Sequence, residues 1–187
     1  MISTADFANG VAIEVDGAPY IIIWFQHHKP GKGGAVMRVK LQNLRTGAII
    51  ERTFKSGEKF REINIERRKK QYLYNDGQNY YFMDTETFDQ IHLPKTNLGR
   101  AVDFLKPETI VEAIYLDEEF VSIELPATVD LRVKATVPGV KGDTVSNVMK
   151  PATVETGAEV QVPLFIKEGD IVKINTRTGE YVSRVNE

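Results

Sequence analysis

The chain has 187 residues, 27% of them charged, and no cysteine, so neither a disulfide framework nor a thiolate metal site is available and small domains must be held by burial alone. No stretch approaches the roughly 20 consecutive apolar residues of a membrane-crossing helix, and a membrane partner is not expected. The opening MISTADFANG has no basic region followed by an apolar run, which makes the cytoplasm the expected location.

Strand signals begin at once. Val11, Ile13 and Val15 alternate with period two, Asp16-Gly17 reads as a hairpin turn, and the run YIIIWF reads as the returning strand. After the loop HHKPGKGGA, the segment AVMRVKLQNL continues as a strand, Thr46-Gly47 turns it, and AIIERTF extends the meander. Residues 1–64 are expected to form one small barrel. Their basic part is marked: residues 29–70 carry thirteen Lys and Arg against four acids, net +9.

The run Arg67-Arg68-Lys69-Lys70 falls at the expected joint and reads as a connector or an RNA contact. Beyond it, YLYNDGQNYYFMD places Asp76-Gly77 between two aromatic-rich strands. Tyr72, Tyr74, Tyr80, Tyr81 and Phe82 read as cross-strand core partners. NLGRAVDFL is the best helix candidate, with Leu98, Ala101, Val102 and Leu105 on one face and Pro107 stopping it. EAIYLDEEFVSIELP reads as a hairpin with an acidic turn. Residues 65–127 thus form a second expected barrel. The charge here is reversed: residues 71–130 hold twelve acids against three bases, net −9. A polyanion would meet one attractive end of such a molecule.

Past Pro126 the strand pattern restarts with TVDLRVKATV, a loop GVKGDTVSN, the strands in TVETGAEVQVPLFI and a hairpin turned at Thr178-Gly179. Residues 128–187 are expected as a third barrel, with no exact repeat among the three. The fold class is therefore all-β. Barrels near 60 residues are marginal alone, so contacts with neighbours or a partner are expected to help.

Catalytic and metal chemistries fit poorly. The phosphate-binding pattern G-x-x-x-x-G-K-[ST] fails at Gln26 and Gly33, and a strand rather than a helix follows it. His27 and His28 are neighbours on a strand and point to opposite faces, with His92 the one other histidine. Glu118 and Glu119 read as solvated charge in a turn. No cofactor and no catalytic residue is expected. What remains is a loop of backbone amides with Lys29 and Lys32, stiffened by Pro30 and slimmed by Gly31, Gly33 and Gly34. Lysine is a point charge on a flexible stem, suited to a phosphodiester backbone or terminus, and Arg38, Lys40 and Arg45 continue the basic series.

HHKPGKGGA resembles the tip loop of the bacterial elongation factor P family, which usually reads His-x-Lys-Pro-Gly-Lys-Gly-x-Ala. The stretch from KATVPGVKGDTV to GEYVSRV is similar to that family's C-terminal signature. The resemblance implies an L-shaped, tRNA-like protein, with an SH3-like barrel of the KOW type followed by two oligonucleotide-binding (OB) barrels. It implies a monomeric, non-enzymatic translation factor. Such a factor binds both ribosomal subunits beside the peptidyl-tRNA in the peptidyl site and relieves stalling at consecutive prolines. Carried over, Lys32 is the tip residue near the CCA end, with Lys29, Pro30, Gly31, Gly33 and Gly34 around it. A lysine-modifying enzyme acting on Lys32 joins the expected partners. Gly142, Asp143 and Thr144 match the loop that approaches the messenger in the exit site; Tyr181 and Arg184 match a terminal segment expected near the small subunit. Two other classes stay open at this point: a KOW-type RNA-binding protein of transcription or ribosome assembly, and an enzyme acting on a phosphorylated small molecule.

Overall fold

The computed structural model describes residues 1–139 and 148–186. The first part of the chain runs through β1 (Ile2–Ser3), β2 (Ala12–Val15), β3 (Ala18–His28), β4 (Val36–Asn43), β5 (Ile49–Lys55) and β6 (Lys59–Phe60). The four longer strands form an antiparallel sheet in the order β2-β3-β4-β5, and β1 pairs with β6. Alternation turns Ile13, Ile22, Met37, Val39 and Leu41 inward. Phe7, Phe54 and Phe60 close this core, with ring centroids 4.6 to 6.3 Å apart. Each such side chain contributes about 1.5–3 kcal/mol when fully buried, which is what a cysteine-free barrel of this size depends on.

The central sheet is built from β7 (Ile65–Asn75), β8 (Asn79–Asp84), β9 (Gln90–Pro94), β10 (Ile110–Leu116) and β11 (Glu119–Glu124), in the order β11-β10-β7-β8-β9. Two expectations are corrected here. Arg67 to Lys70 do fall where one compact unit gives way to the next, but they form no solvated linker: they lie within β7, and Lys70 shares the inward face of Tyr72 two residues on. Lys70 is only 4% exposed, with Nζ 3.3 Å from Asp84, its cross-strand partner. The helix candidate folds instead as two 3-10 turns, Lys95–Asn97 and Gly99–Phe104, with Leu98 donating to Lys95 and Ala101 to Leu98. Gly99 has φ 53, which breaks the α-helical path, and the tighter winding still buries Leu98, Phe104 and Leu105.

The last part contains β12 (Thr128–Thr136), β13 (Met149–Val154), β14 (Glu159–Pro163), β15 (Ile171–Asn175) and β16 (Tyr181–Val185), ordered β14-β13-β12-β15-β16. Leu131, Val133, Val154, Val162, Ile166, Val172 and Ile174 fill its core. The curled sheets and near absence of helix give the all-β class expected from the sequence. The chain divides into two compact units, Met1–Arg67 with Ile114–Val121, and Arg68–Ala113 with the residues from Ser122 on.

Candidate nucleic-acid interface

The loop with the two lysines caps the longest hairpin of the first unit. β3 and β4 stay paired to their ends, His28 opposite Val36, so residues 29–35 are all that bridge them. The base is anchored. His27 pairs with Met37, Met37 pairs with Phe54, and Met37 is 1% exposed; Ser56 also donates its backbone N–H to the Ala35 carbonyl at 2.9 Å. Above that base the loop stands free. Lys29, Gly31, Lys32, Gly33 and Gly34 are exposed and Pro30 is half-buried. Among the described residues, 29 to 34 make no hydrogen bond or ion pair.

The glycines separate into two kinds. Gly33 has φ 126, a conformation a side chain would strain, and its Cβ would sit 3.8 Å from the Pro30 ring. Gly31 and Gly34 lack a positive φ, and a Cβ at either would meet nothing within 4 Å. Among the described residues, neither a clash with a Cβ nor a positive φ therefore requires glycine at those two positions.

Below the tip, strand pairing sorts the basic residues. Across the outward face of the sheet run the rows His28–Val36–Lys55, Gln26–Arg38–Thr53 and Trp24–Lys40–Glu51. Lys40 Nζ stands 5.7 Å from the Trp24 ring centroid, and Arg38 Nη2 lies 2.7 Å from Glu51 Oε1. Arg45 does not join them. It occupies the turn after β4 and forms a two-pronged pair with Glu119, at 2.9 and 3.4 Å. Sequence reading overlooked Trp24, which it placed in an apolar strand; the residue is 37% exposed. The available signal was its spacing from Gln26 and His28, which alternation puts on the loop's outer side. His27 and His28 do face opposite ways, and among the described residues no cluster of His, Asp and Glu is placed to hold a metal.

The acidic turn is exposed, as its sequence suggests, and two of its carboxylates are also paired, Glu119 with Arg45 and Asp117 with Arg61. Asp117 and Glu118, with φ 46 and 72, make the two-residue connection between β10 and β11. Asp117 accepts from Arg61 and from the backbone N–H of Asn64, and its carboxyl is held below the usual range, first by Arg61 and then by Asn64.

Tyr181 and Arg184 come together in a way plain alternation would forbid. Tyr181 pairs with Ile174 and Arg184 with Val172, two inward core residues, because a bulge shifts the β15–β16 register between them. Both therefore stand on one side of this edge strand, where the Arg184 guanidinium lies 5.9 Å from the exposed Phe165 ring. Burial pushes the Tyr181 phenol up. Gly142, Asp143 and Thr144 lie outside the described residues.

Three family models match in succession: the elongation factor P KOW-like domain at residues 3–60, the elongation factor P OB domain at 65–123, and elongation factor P, C-terminal, at 129–184. An elongation factor P from Endomicrobium trichonymphae is 58% identical over 184 residues, covering 98% of this chain and 100% of the relative. One from Moorella thermoacetica is 55% identical over 184 residues with the same coverage. Among solved structures, a eukaryotic translation initiation factor 5A from Methanococcus jannaschii superimposes with a TM-score of 0.52 at 26% identity. That match covers 66% of this chain and 93% of the other. With near full-length identity to these relatives and all three of its modules matched in order, the chain belongs to the elongation factor P family.

Proposed function

We propose that this chain is a translation elongation factor that works on the ribosome and supplies no reacting group of its own. In this reading it lies beside the peptidyl-tRNA, and the Lys32 loop restrains the CCA end so that a poorly reactive prolyl donor meets the incoming amine in a productive geometry. The observation that carries the reading is the pair Gly31 and Gly34, where a Cβ would meet nothing within 4 Å among the described residues. Glycine that the fold does not need is explained by a partner that leaves no room. A channel walled by RNA is such a partner, and it also gives Lys29 and Lys32 the anions that no neighbour among the described residues supplies.

Alignment alone can be large: restraining two reactants contributes up to several kcal/mol to a slow step, on the order of 7 kcal/mol or more in the best-oriented cases. The anchored base and free tip suit that task, because the packed Met37 and Phe54 fix the direction of a thin probe. The outward rows around Trp24, Arg38 and Lys40 would lie along the acceptor arm. Tyr181 and Arg184 would approach the small subunit, and Gly142, Asp143 and Thr144 the exit-site codon. Covalent extension of Lys32 by a modifying enzyme would lengthen the probe further.

The test is translation of a triproline reporter in cells lacking the native copy. Lys32→Ala is expected to leave protein abundance unchanged and to restore stalled synthesis poorly. Full rescue by Lys32→Ala would remove the positioning role and favour an RNA-binding protein of another process.

A further inference from the structure

We propose that the outer face of the central sheet is a docking surface for an arginine-rich protein segment, built from the aromatic ladder Tyr74–Tyr81–His92 and the carboxylate of Asp76. This goes beyond the ribosomal reading above and does not depend on it. The three rings come from three adjacent strands. Tyr74 pairs with Tyr81 across β7 and β8, and Tyr81 with His92 across β8 and β9. Tyr74 and Tyr81 stack with centroids 4.6 Å apart and planes 14° from parallel, and His92 follows at 5.4 Å. A bulge at Leu73 turns Tyr74 outward beside Tyr81, whereas Tyr72, Tyr80 and Phe82 pack inward. Tyr74 is 52% exposed, a large aromatic face with no core to justify it.

Charge selects the occupant. Residues 71–94 contain Asp76, Asp84, Glu86 and Asp89 and not one lysine or arginine. Lys70, just before them, is buried against Asp84, the exposed Arg67, Arg68 and Lys69 lie earlier along β7, and Lys95 opens the turn that follows. Asp76 accepts the Tyr81 hydroxyl at 3.0 Å and the backbone N–H groups of Gln78 and Asn79, which hold its carboxyl below the usual range. It therefore stays charged beside the rings. Nucleobases also stack on tyrosines, but the charge bonded directly to the ladder is the Asp76 carboxylate, which repels a phosphate and attracts a guanidinium. A guanidinium stacks on the ring faces and pairs with a carboxylate at once, which an ammonium does less well.

The probes are a capped hexapeptide of alternating Arg and Gly, its Lys-Gly counterpart and a single-stranded oligouridine, each titrated into the full chain and followed through the side-chain resonances of Tyr74, Tyr81 and His92. The Arg-Gly peptide is expected to move all three and to bind more tightly than the Lys-Gly peptide. Tyr74→Ala and Asp76→Asn should each weaken it about three- to fivefold, and Tyr74→Phe should retain binding. Tyr74 is half exposed, so its replacement leaves the core intact. The proposal is overturned if the oligouridine moves these resonances and the peptide does not, if the peptide leaves them unmoved, or if Tyr74→Ala binds as tightly as the parent.

Discussion

Asp117 Oδ2 lies 2.5 Å from Arg61 Nη1, and the same guanidinium holds Glu14 at 2.6 Å, so one arginine ties the acidic turn to β2 within the first unit. Arg45 and Glu119 form a second such tie. Part of the contrast between a +9 and a −9 segment is therefore spent on internal pairing. Lys29 and Lys32 at the tip are among the bases that stay outside such pairs.

The Arg61 cluster is half exposed, and screening limits its worth. Asp117→Asn keeps the turn geometry and removes the charge. It is expected to lower the urea midpoint modestly in dilute buffer and by less in 0.5 M salt. An unchanged midpoint at low salt would show the pairing to be stabilising nothing.

Glu118 occupies left-handed backbone, φ 72, at the second position of its turn, whereas the equivalent turn at Asp16-Gly17 has glycine there, φ 78. Glu118→Gly should relieve that strain and raise stability by about 1 kcal/mol, read from chemical denaturation.

Glycines in the two modules should respond in opposite ways. A Cβ on Gly139 would fall 2.6 Å from the Leu164 carbonyl oxygen, so Gly139→Ala is expected to destabilise by roughly 1–3 kcal/mol. Gly31→Val and Gly34→Val should leave the melting temperature unchanged and yet fail the triproline reporter. A reporter that tolerates both would contradict the crowded-channel explanation of the loop.

Acid should release one interaction near pH 2. Backbone N–H groups of Thr87 and Glu86, with Lys70 adding less, depress the Asp84 carboxyl from 3.8 to about 2. A depressed native value means that this contribution is fully present above the unfolded value of 3.8 and is lost as pH falls through about 2. The stability gap between the parent and Asp84→Asn should be constant above pH 4 and shrink from there toward pH 2.

Ribosome binding should weaken with salt as counterions return to the RNA. Replacing Lys29 and Lys32 together with alanine should lower the slope of log K against log salt by about two units, one per lost phosphate contact. An unchanged slope would mean that the tip lysines face solvent when bound.

Period-two alternation and turn chemistry were enough to read, from the amino-acid order alone, an all-β chain, its principal hairpins and the lysine loop, because these depend on near neighbours. The partnerships were not readable. Which face Lys70 takes, that Trp24 lies under Lys40, and that Arg45 leaves its series for Glu119 all depend on strand register and on contacts up to 74 residues apart. Bulges at Ile23, Leu73 and Val182 reset the alternation, placing Tyr181 with Arg184 and Tyr74 with Tyr81. One extra residue in a strand reverses every side chain beyond it, so only the folded sheet decided which residues share a face.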